Sequence, residues 1–442
     1  MKRSLPAGRF WIDLFIVAFS LASISFLSSG FFNAADFAAW SGDPSALVSC
    51  FTSIGAGPCD GISKFPFAYL VNAYVVVGSE QRLALLNGLA ILVPVLCLGW
   101  LSGWRMMLRG GSIYLMAIAL SPLPGFYVRS GALEVQAGVV SGIYIACLSG
   151  VLFQGINSRS LFRIRVLLVV SGLLLPLYKD TIVLLVGLSV LVACLIKRFS
   201  FEHARKQLTV NGMAALVAYA ALPVVVGIGL SLVYNILRYD SPLPVAYMNE
   251  AAQTTPTVAR SFEFFLGSIM SPNGGVVVFW ALPLSVAIFG WRLQAVRFQG
   301  MAAIVSGGAA LLSCIAFARW WAPFGWDAWG DRLMIQPVLA ILVALLMSLE
   351  PASKSVGGQG GVGSWFFAFP VLVASTYYAV IPYFNGRGEA FSQSLWSGPA
   401  CTEMMHRLQT DAPAMGFSFW KTEDYYACAR ERMLHVPSTG VR

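Results

Sequence analysis

PFAYLVNAYVVVG, residues 66–78, is the stretch on which the architecture turns, because every later segment changes sides if it crosses a membrane. A helix rises about 1.5 Å per residue and a bilayer core is about 30 Å thick, so a span takes about 20 residues. Thirteen residues fall short. The chain around them is 57% hydrophobic and only 11% charged, with a mean hydropathy of +0.73. That is too little charge to clothe a soluble domain of 442 residues, so the composition predicts an integral membrane protein with many spans.

Apolar segments near span length fall at 10–29, 83–103, 111–127, 133–153, 166–178 and 181–196, then at 213–237, 275–291, 301–317, 333–349 and 365–383. If residues 66–78 do not cross and the N-terminus is inside, the inner segments hold fifteen basic residues against two acids, Glu202 and Glu350. The outer loops ahead of residue 384 then hold eight basic residues and eleven acids. If 66–78 did cross, Arg105 and Arg109 would face outward and later basic loops would follow. The positive-inside rule therefore predicts an all-α polytopic bundle of about 11 spans, with a cytoplasmic N-terminus and a periplasmic C-terminus. Residues 66–78 become a juxtamembrane helix on the outer surface, within a first outer loop 30–82. The basic start, MKRSLPAGRF, leads into a retained first helix, since no small-x-small cleavage site follows it.

The net charge of +9 thus marks cytoplasmic anchors and gives no support to nucleic-acid binding. Cys50 and Cys59 share the first outer loop, and Cys401 and Cys428 share the outer tail, so both pairs are disulfide candidates on an oxidising face. Cys97, Cys147, Cys194 and Cys314 fall within spans. Two units are expected: a membrane domain, 1–384, and a periplasmic tail, 385–442. The run SKSVGGQGGVGS, 353–364, reads as a flexible linker.

With this topology the polar side chains collect outside. The first loop carries Asp36, Trp40, Asp43, Lys64 and Tyr69. Arg129 and Glu134 follow the third span, Lys179 and Asp180 the fifth, and Arg238 and Tyr247 open the long outer loop. Asp327, Asp331 and Arg332 precede residues 333–349. Charges flanking a span commonly do no more than anchor it. Several carboxylates, lysines and arginines on one face, with aromatics among them, suit a further purpose. Guanidinium and ammonium groups match phosphate, and a carboxylate serves as base for a hydroxyl nucleophile. The chemistry implied is attack on a lipid-phosphate-linked group. There is no Walker loop, paired CxxC or His-x-x-x-His spacing, so no cofactor motif, structural zinc site or histidine-based triad is read; metal dependence stays open.

In order and spacing these segments resemble the GT-C superfamily of polyprenyl-phosphate-sugar glycosyltransferases, most closely the aminoarabinose transferases of lipid A and the protein O-mannosyltransferases. The likeness runs from the first helix to about Leu349. DFAAW (36–40) stands at the family's acidic first-loop motif, and KFPFAYLVNAYVVVG (64–78) at its Lys-Pro-Pro motif and juxtamembrane helix. ALSPLPGFYVRSGALEVQ (119–136), LYKDT (177–181), NILRYDSPLPVAY (235–247) and GSIMSPNGGVVVFWALP (267–283) match later elements. WWAPFGWDAWGDRLMIQPVLAIL (320–342) places Arg332 at the family arginine. The family's Asp-Glu pair is Asp-Phe here, Asp331 replaces Pro or Gly, and Leu333 replaces Tyr.

The resemblance implies an inverting transferase that uses a polyprenyl-phosphate-linked sugar, with a glycan, lipid or protein acceptor, in a bacterial inner membrane. Asp36 would be the base, with Asp43 the alternative carboxylate, and Glu134 would orient the sugar or acceptor. Lys64, Arg129, Lys179 and Arg332 would neutralise the leaving phosphate. Trp40, Tyr69, Arg238, Tyr247 and Asp331 would contact substrate. Two rivals stay open at this stage: a flippase for a lipid-linked sugar, and an O-antigen ligase or polymerase. A transporter favours midplane charges and inverted repeats, and neither is evident. A ligase usually carries its large outer loop late in the chain.

Overall fold

The computed structural model describes residues 7–30, 66–76, 80–121, 123–124, 128, 133–153, 158–179, 182–184, 186–191, 217–243, 258–270, 275–293, 296–298, 300–319 and 332–351. Its helices are α1 (Ala7–Gly30), α2 (Phe67–Val76), α3 (Glu80–Ser102), α4 (Trp104–Ala119), α5 (Glu134–Phe153) and α6 (Ser158–Tyr178). A π-helical turn, Val217–Ala221, leads into α7 (Leu222–Tyr239), followed by α8 (Val258–Met270), α9 (Ala281–Leu293), α10 (Gly300–Phe317) and α11 (Arg332–Met347). The expected span at 365–383, the linker 353–364, the tail 385–442 and both cysteine pairs lie outside the described residues.

Among the described residues four helical stretches are long and apolar enough to cross a membrane: Leu85–Ser102, Glu134–Leu152, Leu161–Tyr178 and Ala218–Leu237. Shorter apolar helices include Phe10–Ser25, Met301–Phe317 and Leu333–Met347. The stretch Glu134–Leu152 has 89% of its residues buried against 22% for Leu85–Ser102, which makes α5 the central helix and α3 a peripheral one. Leu85, Leu89, Val93 and Leu96 accordingly point outward as a bare apolar stripe.

Small residues set the packing. A Cβ at Gly138 would meet the Gln336 carbonyl and Leu339 at 2.9 Å, and one at Gly142 would meet Val343 at 2.5 Å. The contact advances along both helices together, so α5 and α11 run parallel with backbones nearly touching. Gly172 lies on Ala220 and Val224, and Gly227 on Leu173 and Pro176, so α6 and α7 are likewise parallel. Helices α3 and α4 instead form an antiparallel hairpin, with Gly99 on Met107 and Gly111 on Val95. The hairpin turns at Gly103, whose φ of 88° is a conformation few side chains tolerate. Ser141, Ser306 and Ser313 spend their hydroxyls on carbonyls one turn back in their own helices, as a lipid-facing bundle requires.

Several elements differ from the sequence-based expectation: the helix expected at 166–178 begins at Ser158, and the one expected at 275–291 is Ala281–Leu293. The helix placed at 111–127 runs instead from Trp104 to Ala119. Arg105 and Arg109 propagate a helix well, whereas Pro122 and Pro124 stop it. Residues 258–270, expected as loop, form α8, which hides Ser261, Phe264 and Ser268 while exposing Val258 and Phe262. The bundle is also not wholly helical: Val296–Phe298 pairs antiparallel with Leu349–Pro351, with Arg297 opposite Glu350. That ladder joins the loop after α9 to the end of α11.

One end of the bundle carries a ring of arginines against aromatics. Arg105 lies over Trp104 at 5.6 Å, Arg163 over Trp100 at 5.9 Å and Arg165 over Tyr219 at 4.7 Å. Arg163 also donates to the Trp100 carbonyl. This is the end where α3 finishes and α4 and α6 begin. The candidate site lies at the other.

Candidate functional site

At that opposite end α3, α5 and α11 begin and α6, α7 and α10 finish. Helix α2, ten residues long, packs against the ends of α3 and α6. Ten residues rise only about 15 Å, half a bilayer core. Its two faces differ: Ala68, Tyr69, Leu70 and Asn72 are buried, while Phe67, Val71 and Tyr74 are exposed. Phe67 meets Tyr234 near the end of α7 edge to face, with ring centroids 5.5 Å apart.

Beneath α2 three amides form a buried network. Gln136 Nε2 donates to Asn72 Oδ1 at 3.0 Å and to Asn87 Oδ1 at 2.8 Å, and Asn87 Nδ2 donates to the Val128 carbonyl at 2.9 Å. Asn72, Asn87 and Gln136 are 2%, 0% and 5% exposed. One atom of the network is left over: Asn72 Nδ2 is buried and has no acceptor among the described residues. Such a donor costs about 1–3 kcal/mol. Sequence reasoning did not single out these amides. The available signal was three carboxamides in otherwise apolar helices, which burial disfavours unless they meet one another.

Lys179 ends α6 with its Nζ 5.0 Å from the Phe317 ring centroid, at the end of α10. Its carbonyl accepts from the Ile182 N–H at 3.1 Å, which holds the turn into the next helical stretch. Phe317 belongs to a small core with Cys314, Leu333, Met334, Phe265, Ile269 and Val276, fastening α8 to the ends of α10 and α11. On the same elements Arg319 donates to Ser261 Oγ at 3.3 Å.

The predicted site residues divide accordingly. Glu134 is the first residue of α5 and half-buried, Lys179 caps α6, and Tyr69 is buried on α2 one turn from Asn72. The backbone places Arg332 as the first residue of α11 and Arg238 next to last in α7. All five stand at the same end. Asp36, Trp40, Asp43, Lys64, Arg129, Tyr247 and Asp331 lie outside the described residues, as does Asp180. Among the described residues no three His, Cys, Asp or Glu side chains are grouped to hold a metal ion. A cavity of about 40 Å³ between Leu101, Cys147, Ile164 and Ser348 lies near the arginine ring. It has no charged lining group.

Among solved structures the chain is similar to the crystal structure of ArnT from Cupriavidus metallidurans bound to undecaprenyl phosphate. The two share 16% identity with a TM-score of 0.47, over 94% of this chain and 74% of that one. No family model and no curated protein matches the sequence.

Proposed function

We propose that the protein is a membrane-embedded inverting glycosyltransferase that moves a sugar from a polyprenyl-phosphate donor to an acceptor hydroxyl at the periplasmic face of a bacterial inner membrane. One observation carries the reading. Glu134, Lys179 and the helix start at Arg332, distant in sequence, stand at one end of an apolar bundle, opposite the arginine–aromatic ring. The positive-inside rule assigns that ring to the cytoplasm and the polar end to the periplasm.

In the proposed reaction a carboxylate, Asp36 or else Asp43, takes the acceptor's hydroxyl proton. The freed oxygen bonds to the anomeric carbon as the bond from that carbon to the phosphate oxygen breaks, and the lipid phosphate leaves with the electron pair. Lys179 and Arg332, with Lys64 and Arg129, neutralise it. At a water-poor site the loss of one such cation costs on the order of a hundredfold in rate. Trp40, Tyr69, Arg238, Tyr247 and Asp331 are the proposed substrate contacts, and Glu134 orients the sugar or acceptor. Transfer from a polyprenyl-phosphate sugar by purified protein in lipid tests the reaction, and mass spectrometry of surface glycans from a deletion strain identifies the acceptor.

Sidedness makes its own prediction. Topology reporters fused after Gly78 and at the C-terminus are expected to read outside, and one after Gly103, in the α3–α4 turn, inside. A cytoplasmic reading at Gly78 would make residues 66–78 a span and dismantle the site.

Arg332 makes a second. A point anchor is served as well by lysine, whereas a two-pronged clamp on phosphate loses its fork. Arg332→Lys is therefore expected to lower kcat/KM by roughly tenfold, about 1.4 kcal/mol, and Arg332→Ala by more. Wild-type activity in both variants would reduce the residue to an interfacial anchor.

A further inference from the structure

We infer that Asn72 is a phosphate-binding residue of the lipid donor site, aimed by Gln136; the inference rests on the proposed use of a polyprenyl phosphate. The direction of the amide chain follows from its inner end. Val128 offers a carbonyl, which only accepts, so Asn87 must turn its N–H2 toward it and leave its Oδ1 facing Gln136. Gln136 must then present N–H2, and its second hydrogen goes to Asn72 Oδ1. Flipping any one amide sets two acceptors or two donors against each other. Asn72 is therefore left with its N–H2 turned away from Gln136, buried and without an acceptor among the described residues.

A neutral donor fixed in this way invites an oxygen that only accepts. A hydroxyl would need an acceptor for its own proton as well, whereas a phosphate oxygen needs none. Position agrees with this choice. Helix α2 packs on α6, whose next residue is Lys179, so the amide and the ammonium stand at the same end of the bundle. That end is where a lipid phosphate would reside while its tail stays among Leu85, Leu89 and the other outward side chains of α3.

The test is binding of undecaprenyl phosphate to the purified full-length protein in detergent, with undecaprenol, which keeps the tail and lacks the phosphate, as comparison. Asn72→Asp still accepts from Gln136 but cannot donate and sets a negative charge against the phosphate. It is expected to weaken undecaprenyl phosphate binding at least tenfold while undecaprenol binds as to wild type. Gln136→Met, of similar volume and without donors, is expected to erode the same preference several-fold. If Asn72→Asp does not fold, Asn72→Ala is expected to lose several-fold for the phosphate alone. Equal binding by wild type and the Asn72 variants, or equal losses for both lipids, would make the network a mere clamp on α2 and overturn the inference alone. Failure of wild type to prefer the phosphate would overturn the donor reading together with it.

Discussion

Asp36→Asn is expected to leave the protein folded and inserted while cutting sugar transfer at least a hundredfold. General-base assistance contributes about 10²–10⁴-fold, and an amide of the same shape has no lone pair basic enough to take the hydroxyl proton. The prediction belongs to the proposed mechanism. The chain that carries Asp36 leaves α1 and enters α2, and α2 is tied through Asn72 to Gln136 at the head of the central helix. Asp43→Asn is expected to be milder, within about tenfold. The measurement is kcat for transfer by purified protein in lipid, with melting curves to show that both variants fold. Near wild-type turnover in Asp36→Asn beside a dead Asp43→Asn would move the base to Asp43 and shift the reading of the first loop by seven residues.

The sequence was most informative where one physical rule dominated. Apolar runs long enough to span were legible because lipid leaves the backbone few alternatives to a helix. The same rule set α2 apart, since ten helical residues cannot reach across. Legibility failed where rules compete. Hydropathy placed a helix at 111–127 by excluding Arg105 and Arg109, yet backbone propensity starts it at Trp104 and the prolines end it early. Helix α8 went unseen because its serines and glutamate lower the mean hydropathy; its buried and exposed positions repeat at helical spacing, which a span search ignores. The site divided in the same way. Charged residues such as Lys179 and Glu134 announce themselves in an apolar chain. Asn72, Asn87 and Gln136 carry no charge, and nothing in their separations of 15 and 49 positions says that they meet. The small-residue pattern Gly138-x-x-x-Gly142 stood in plain view, but without a partner it does not name α11.

That pattern supports the largest expected effect on stability. A Cβ at Gly142 would lie 2.5 Å from Val343 Cβ and 2.8 Å from the Ala340 carbonyl oxygen, and the second of these is backbone, which no rotamer change relieves. Restoring ordinary contact means separating α5 from α11 by about 1 Å along a dry, close-packed seam. Gly142→Ala is expected to cost about 1–3 kcal/mol, and Gly142→Leu to leave little folded protein. Gly307→Ala and Gly88→Ala provide the contrast: nothing lies within 4 Å of either Cβ, so these helical sites should be neutral or gain up to about 1 kcal/mol. Thermal melts in detergent decide between them. Equal behaviour of all three alanine variants would mean that α5 and α11 are not in register at Gly142. The consequence reaches the candidate site, because α11 begins with Arg332 and α5 with Glu134, and the glycine seam fixes their spacing. Whatever Gly142→Ala protein survives is therefore expected to lose transfer beyond its loss of folded fraction. A stability defect without that excess would mean that the distance between the two helix starts does not matter to catalysis.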